Sequence, residues 1–214
     1  VTDKGSDENY PYDDNPSGLD NLRFFWDYQI YQMYIRYFLW NFVGREGDDQ
    51  GEIDGWESGI FPSYTSFPEP FRSHPSRNHY YALPFLLGLL GLYWHVQRNK
   101  FDASVVGFLF FFTGLAIVLY LNQTPQQPRE RDYSYAGSFQ TFAIWVGLGV
   151  IALHELLAKM LKRDDRALAI ISGVLCLALV PGWMLAVNFK DHSRAGNYFA
   201  NDSAYNYLMS LDKD

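Results

Sequence analysis

Apolar residues follow two regimes along this chain. Before position 80 they are scattered among acids, amides, prolines and glycines, and between 80 and 189 they gather into four long runs. The runs are 81–96 (YALPFLLGLLGLYWHV), 103–121 (ASVVGFLFFFTGLAIVLYL), 138–157 (SFQTFAIWVGLGVIALHELL) and 167–189 (ALAIISGVLCLALVPGWMLAVNF). A helix needs about 20 mostly apolar residues to cross the hydrocarbon core. Three runs meet that length, and the first is extended by Tyr80, Tyr81, Tyr93 and Trp94 as an interfacial belt. Pro84 and Pro181 fall inside runs, where neighbouring helices satisfy the carbonyls that proline frees. Gly88 and Gly91, Gly107 and Gly114, and Gly147 and Gly149 are positions for close helix contact. Four runs so closely spaced leave too little polar surface for a soluble bundle. The expected fold is therefore an all-α membrane protein with four transmembrane helices, an interfacial or amphipathic N-terminal helix and irregular outer-face segments.

The N-terminal third has a different character. Residues 1–20 are rich in Asp, Asn, Gly, Ser and Pro and read as an extended or disordered segment. Residues 22–43 then form a helix that ends near Gly44. Its aromatics are interrupted by Arg23, Asp27, Gln29, Gln32, Arg36 and Asn41, a costly set for a spanning helix. It either lies in the headgroup region, where Tyr and Trp keep one wet end, or is buried in a soluble layer packed on the membrane part. Residues 45–78, punctuated by glycine and proline, are irregular and end in FRSHPSRNHYY, an anchor at the membrane surface. The expected organisation is an outer-face polar and aromatic segment at 1–78, a four-helix membrane region at 79–189, and the start of an outer-face soluble domain at 190–214. In the last of these, Tyr198, Ala204, Tyr205 and Leu208 share one helical face. The start at Val1, without a signal-peptide pattern, and the polar end at Asp214 suggest a piece of a longer protein, or alternatively the mature product of a processed precursor.

Charge refines this picture. The 214 residues carry a formal charge of −7, and the mean hydropathy of −0.18 conceals the division between the two regimes. Fourteen of the 24 acids lie in the first 78 residues, which argues against nucleic-acid binding, because that requires clustered Lys and Arg. The single cysteine, Cys176, excludes an intrachain disulfide and a multi-cysteine zinc site. The two short loops at 97–102 and 158–166 hold Arg98, Lys100, Lys159, Lys162, Arg163 and Arg166. Loop 122–137 carries only Arg129 and Arg131, each beside an acid. The positive-inside rule puts the two basic loops in the cytoplasm, and both termini and loop 122–137 on the outer face.

That outer loop, NQTPQQPRERDYSYAGSF (122–139), holds the candidate chemistry. Arg129 and Arg131 suit bidentate contact with phosphate oxygens, while Glu130 and Asp132 suit balancing them or positioning a hydroxyl. The alternative is a self-neutralising ion-pair cluster that fixes a helix corner, with Tyr133 and Tyr135 as interfacial anchors. His154-Glu155 lacks a second ligand at helical spacing, so no metal is expected. His79, His95 and His192 are isolated polar contacts. Residues 44–55 (GREGDDQGEIDG) have the acid density of a calcium loop without its spacing, and no phosphate loop or Ser–His–acid arrangement is present. No cofactor is called for. The sequons at Asn122 and Asn201 are short enough to occur by chance.

In this order, YQMYIRYFLWNFVGRE (31–46), LPFLLGLLGL (83–92), FLFFFTGLAIVLYLNQTPQQPRERDYSYAGSFQTFAIWVGLGV (108–150) and NFKDHSRAGNYFANDSAYNYL (188–208) resemble a family of large bacterial multispanning proteins. That family is catalogued as domain of unknown function 2723 and is related to protein O-mannosyltransferases of the GT-C class. The resemblance covers most of residues 30–208, and PRERDYSYAGSF is its most specific part. It implies an inner-membrane glycosyltransferase that moves a sugar from a polyprenyl-phosphate donor to a protein hydroxyl on the outer face. In such families the catalytic acid lies in an N-terminal helical bundle, so the resemblance assigns no catalytic residue here. Arg129, Glu130, Arg131, Asp132, Tyr133 and Tyr135 are then the substrate-binding candidates, and the lipid bilayer, the lipid-linked donor and the protein acceptor are the partners. The competing expectation is a non-enzymatic membrane scaffold or assembly subunit that binds a partner through the acidic segment or the 22–43 helix. A transporter is disfavoured because neither an intramembrane charge nor repeated halves are evident.

Overall fold

The computed structural model of the chain describes residues 17–45, 77–123, 131–192 and 195–211, apart from the side chains of 190–192. Among these residues the architecture is helical, with one two-stranded ladder. The first helix begins at Ser17, whose hydroxyl accepts from the Asp20 amide at 3.3 Å while the Asp20 carboxylate accepts from the Ser17 amide at 2.9 Å. This reciprocal capping box fixes the entry. The helix runs without a break through α1 (Gly18–Phe24), a π-helical stretch (Phe25–Ile35) and α2 (Arg36–Phe42). Its first turns are exposed, whereas Tyr28, Ile30, Gln32, Met33, Tyr34, Arg36, Tyr37, Trp40 and Phe42 are buried. The helix is thus exposed in its first turns and packed in the rest.

After β1 (Gly44–Arg45) and β2 (Asn78–His79) come the apolar helices. These are α3 (Leu83–Arg98), α4 (Lys100–Phe112), α5 (Leu115–Leu121), α6 (Ala136–Leu161), α7 (Arg166–Leu177) and α8 (Trp183–His192), the last two joined by a π-helical turn at Ala178–Gly182. Three continuous stretches are long and apolar enough to cross a membrane: Lys100–Leu121, Asp132–Leu161 and Arg166–Phe189. Their outward residues are large and apolar, among them Phe108, Phe112, Ile170, Ile171, Val174 and Leu185. In water such a surface would be a liability; against lipid tails it costs nothing. With 16 residues, α3 is the short one, at about 1.5 Å of rise each. It starts two residues later than the apolar run because Tyr81 and Ala82 take left-handed conformations, with φ of 53° and 54°.

The contacts set the order of the bundle. Helix α3 lies parallel to α6: Gly88 faces Phe142, and Gly91 faces Trp145 and Gly149. A Cβ on Gly91 would run into the Trp145 carbonyl, and one on Gly149 into the Leu87 backbone. Helix α4 runs antiparallel to α6, with Phe110 on Trp145 at 5.7 Å between ring centroids and Val106 in the same cluster. On the other side, Cys176 and Val180 pack with Leu87, Val146, Val150 and Leu153. Gly107 and Gly147 face open space, so those two expected contacts are not made.

Two corners close the bundle at the end opposite loop 122–137. Asn99 terminates α3 in an extended conformation and caps α4, its Oδ1 accepting from the amides of Phe101 at 3.1 Å and Asp102 at 3.3 Å. Asp165 caps α7 by accepting from the Leu168 amide at 2.9 Å and from Arg163 Nε at 2.6 Å. Those two bonds hold its carboxyl below the usual range. This cap is therefore complete above the ordinary carboxylate pKa and is lost only as pH falls through the lowered value.

At the loop end, the second apolar run is broken at Thr113-Gly114. A Cβ on Gly114 would meet the Tyr34 hydroxyl at 2.5 Å and Ser138 Cβ at 2.7 Å, so the break admits Tyr34 between α5 and α6. Phe38 then packs edge-on to Phe110 and Phe142 at 5.7 and 4.9 Å. The N-terminal helix is in this way built into the bundle.

Gly91→Ala is expected to lower stability by about 1–3 kcal/mol, because helix backbones in contact must separate. Gly147→Ala, at an open helical position, should be neutral or raise it by about 0.5–1 kcal/mol. Thermal unfolding in detergent reads both, and equal responses would contradict the assigned packing.

Candidate functional site: a polar cavity at the loop end

Six segments converge where loop 122–137 leaves the bundle. The short ladder pairs Gly44 with His79 and Arg45 with Asn78, antiparallel. The Ala82 amide donates to the Val43 carbonyl at 3.3 Å, and the Arg45 amide donates to Asn78 Oδ1 at 2.9 Å. Helix α8 holds this strap from the other side. Trp183 Nε1 donates to the His79 carbonyl at 2.7 Å, and Asn188 Nδ2 donates to the Tyr80 hydroxyl at 2.8 Å and to the Met184 carbonyl at 2.7 Å. The Tyr81 ring rests on Trp183 at 6.1 Å. Two consecutive non-glycine residues at positive φ are a strained arrangement, and these bonds sustain it.

Between the strap and the end of the first helix lies a cavity of about 390 Å³, lined by Tyr37, Trp40, Asn41, Arg45, Asn78, Tyr80, Asp132 and Asn188. Its wall carries one cation, one anion, three amides and three aromatic rings. Both Arg36 and Arg45 stack on Trp40, with guanidinium carbons 5.0 and 5.3 Å from the ring centroid. Arg36 also donates through Nε to the Gln32 carbonyl at 3.1 Å. Burial pushes the Tyr80 phenol up from its ordinary value, opposed by the Asn188 hydrogen bond and the Arg45 charge. Tyr80 therefore stays protonated at neutral pH, and it keeps its own proton to donate.

The candidates from the outer loop separate here. Asp132 opens a 3₁₀ turn (Asp132–Tyr135) and reaches the cavity. Arg131 precedes that turn and is exposed, as is Tyr133. Tyr135 is fully buried, edge-on to Tyr34 at 6.0 Å, and its hydroxyl accepts from Gln123 Nε2 at 3.3 Å. It is a core residue and not an interfacial anchor, because the 3₁₀ turn directs it into the Tyr28–Met33–Tyr34–Val118 cluster. Arg129 and Glu130 lie outside the described residues, as does most of 44–55. Asp132 is thus the one member of the predicted set that meets the cavity among the described residues.

The sequence reading missed Tyr37, Trp40, Asn41, Arg45, Asn78, Tyr80 and Asn188. A signal was present in part: Asn41, Asn78 and Asn188 all stand at the ends of apolar stretches. Two of the histidines have described partners. His95 Nδ1 accepts from Trp145 Nε1 at 3.3 Å, and His154 lies 3.4 Å from both Asp164 and Ser172. Among the described residues no cluster of His, Cys, Asp and Glu could hold a metal. No protein-family model, curated protein or solved structure matches the chain.

Asn188→Ala removes the amide that joins α8 to Tyr80. It should cost about 1–3 kcal/mol and speed hydrogen exchange at the Ala82 and Arg45 amides ahead of the α6 core. Unchanged exchange at those amides would remove Asn188 from the strap.

Proposed function

We propose that this chain is part of an integral-membrane glycosyltransferase that moves a sugar from a polyprenyl-phosphate donor to a protein hydroxyl, with the loop-end cavity receiving the donor headgroup. The observation that carries this reading is the meeting of Asp132 with Arg45, three amides and protonated Tyr80 in one cavity at the end of an apolar bundle. A lipid-linked phosphosugar has its tail among apolar helices and its charged, hydroxyl-rich head at their ends. The cavity offers complementary groups at that level: donors for phosphate and a carboxylate for sugar hydroxyls. The resemblance of PRERDYSYAGSF supplies the reaction type. In this reading α3 also crosses, giving four spans in a bacterial inner membrane, with the cavity on the periplasmic face. The catalytic acid belongs to residues other than those of this cavity, and Arg129 and Arg131 approach the donor from the loop.

The scaffold reading has one observation in its favour. Helix α9 (Phe199–Ser210) has no buried residue and exposes Phe199, Tyr205, Tyr207, Leu208 and Met209. A partner protein would cover such a helix.

Asp132→Asn keeps the shape and deletes the charge. In the full-length protein it should lower sugar transfer at least about tenfold, the loss expected for one charge-assisted hydrogen bond, with membrane expression unchanged. Transfer at the parent rate would take Asp132 and the cavity out of the reaction.

A further inference from the structure

Two donors in the cavity wall have no acceptor. The Tyr37 hydroxyl and the Trp40 indole N–H are cut off from water and make no hydrogen bond within the chain. Their residues are only 4% and 9% exposed, so neither donor is satisfied by bulk solvent. Buried polar atoms are nearly always paired, and leaving one unpaired is costly. Here two occur one turn apart on the same helical face, both on residues that line the cavity.

The surroundings decide what would complete them. Tyr hydroxyl and indole N–H both donate, and indole can only donate. Two guanidinium groups lie on the Trp40 ring, and Arg36 also lies 4.7 Å from the centroid of Tyr37. The Trp40 ring thus already stacks with guanidinium groups. What Tyr37 and Trp40 offer is O–H and N–H protons, with the Arg45 guanidinium on the same wall, and the oxygens of an anion are acceptors that suit them. Asp132 lies on the same cavity and would repel a second anionic group, while it accepts readily from hydroxyls. We propose that Tyr37, Trp40 and Arg45 form a phosphate subsite, and that its ligand is a phosphate ester whose hydroxyl-bearing group extends toward Asp132. Binding therefore requires each ring to turn its donor to the cavity surface, where the ligand oxygens would replace the missing acceptors. This rests on the reading of the cavity as a headgroup site, and it moves the principal phosphate contact from the outer-loop arginines to the first helix.

The test uses the full-length protein in detergent, with farnesyl phosphate as probe and farnesol as the uncharged control. Saturable binding of farnesyl phosphate but not farnesol is expected. Tyr37→Phe and Trp40→Phe should each weaken it about tenfold. Tyr37→Phe should also leave the melting temperature of the unliganded protein unchanged or higher, since it deletes only an unpaired hydroxyl. Inorganic phosphate or a hexose 1-phosphate competing as strongly as farnesyl phosphate would support the subsite and assign it to a soluble ester. Parent-like affinity in both variants overturns the proposal, even if sugar transfer is intact. A destabilised unliganded Tyr37→Phe overturns it as well, because the hydroxyl would then have a partner in the protein. Binding that obeys these expectations without any sugar transfer would instead retain the subsite and remove the glycosyltransferase reading.

Discussion

Helices α3 and α6 touch backbone to backbone, and that contact governs the rest of the molecule. Gly91 admits the Trp145 carbonyl and Gly149 admits the Leu87 backbone, so two parallel helices lie closer than larger side chains would allow. Lipid tails are as apolar as leucine, so burying leucine supplies little drive for helices to associate in a membrane, and close packing must replace it. Parallel α3 and α6 leave α4 with α5, and α7 with α8, as the antiparallel returns. Each return then delivers its polar end residues to the same end of the bundle as loop 122–137.

The cavity follows from that convergence. Asn188 lies in the last helix of one return, Asp132 begins the turn into α6, and Arg45, Asn78 and Tyr80 sit on the strap that leads into α3. The first helix closes the remaining side because the break at Thr113-Gly114 and the small Ser138 make room for Tyr34. Polar groups collected at the end of an apolar bundle can be solvated there at little cost. The same groups at mid-depth would be expensive. The buried interior accordingly holds mostly aromatic, aliphatic and small residues, with Gln32, Arg36 and Gln123 as its larger polar members among the described residues away from the strap.

Much of this arrangement was legible from hydrophobic patterning alone. Run length located α4–α5, α6 and α7–α8 to within a few residues, because apolar stretches of that length have few alternatives. Glycine spacing singled out Gly88, Gly91 and Gly149, but Gly107 and Gly147 matched it equally and face open space; which glycines meet a partner depends on helix rotation. The start of α3 was misjudged because Tyr81 and Ala82 adopt left-handed turns that their residue types do not favour. At the site, charge density pointed to the outer loop, of whose candidates Asp132 lines the cavity among the described residues. Tyr135 was misread because an aromatic in a polar loop looks interfacial until the 3₁₀ turn buries it. The remaining lining residues come from positions 37 to 188, and only tertiary contact joins them.

The central proposal is that α3 crosses the membrane in the same direction as α6, so that the cavity lies opposite the basic corners. Single cysteines at Lys100→Cys, Ser134→Cys and Arg163→Cys in a Cys176→Ser background test it, with a membrane-impermeant maleimide added to intact spheroplasts. The account predicts labelling of Ser134→Cys in intact spheroplasts, and of Lys100→Cys and Arg163→Cys only after lysis. Labelling of Lys100→Cys together with Ser134→Cys would mean that α3 does not cross, and would contradict the account.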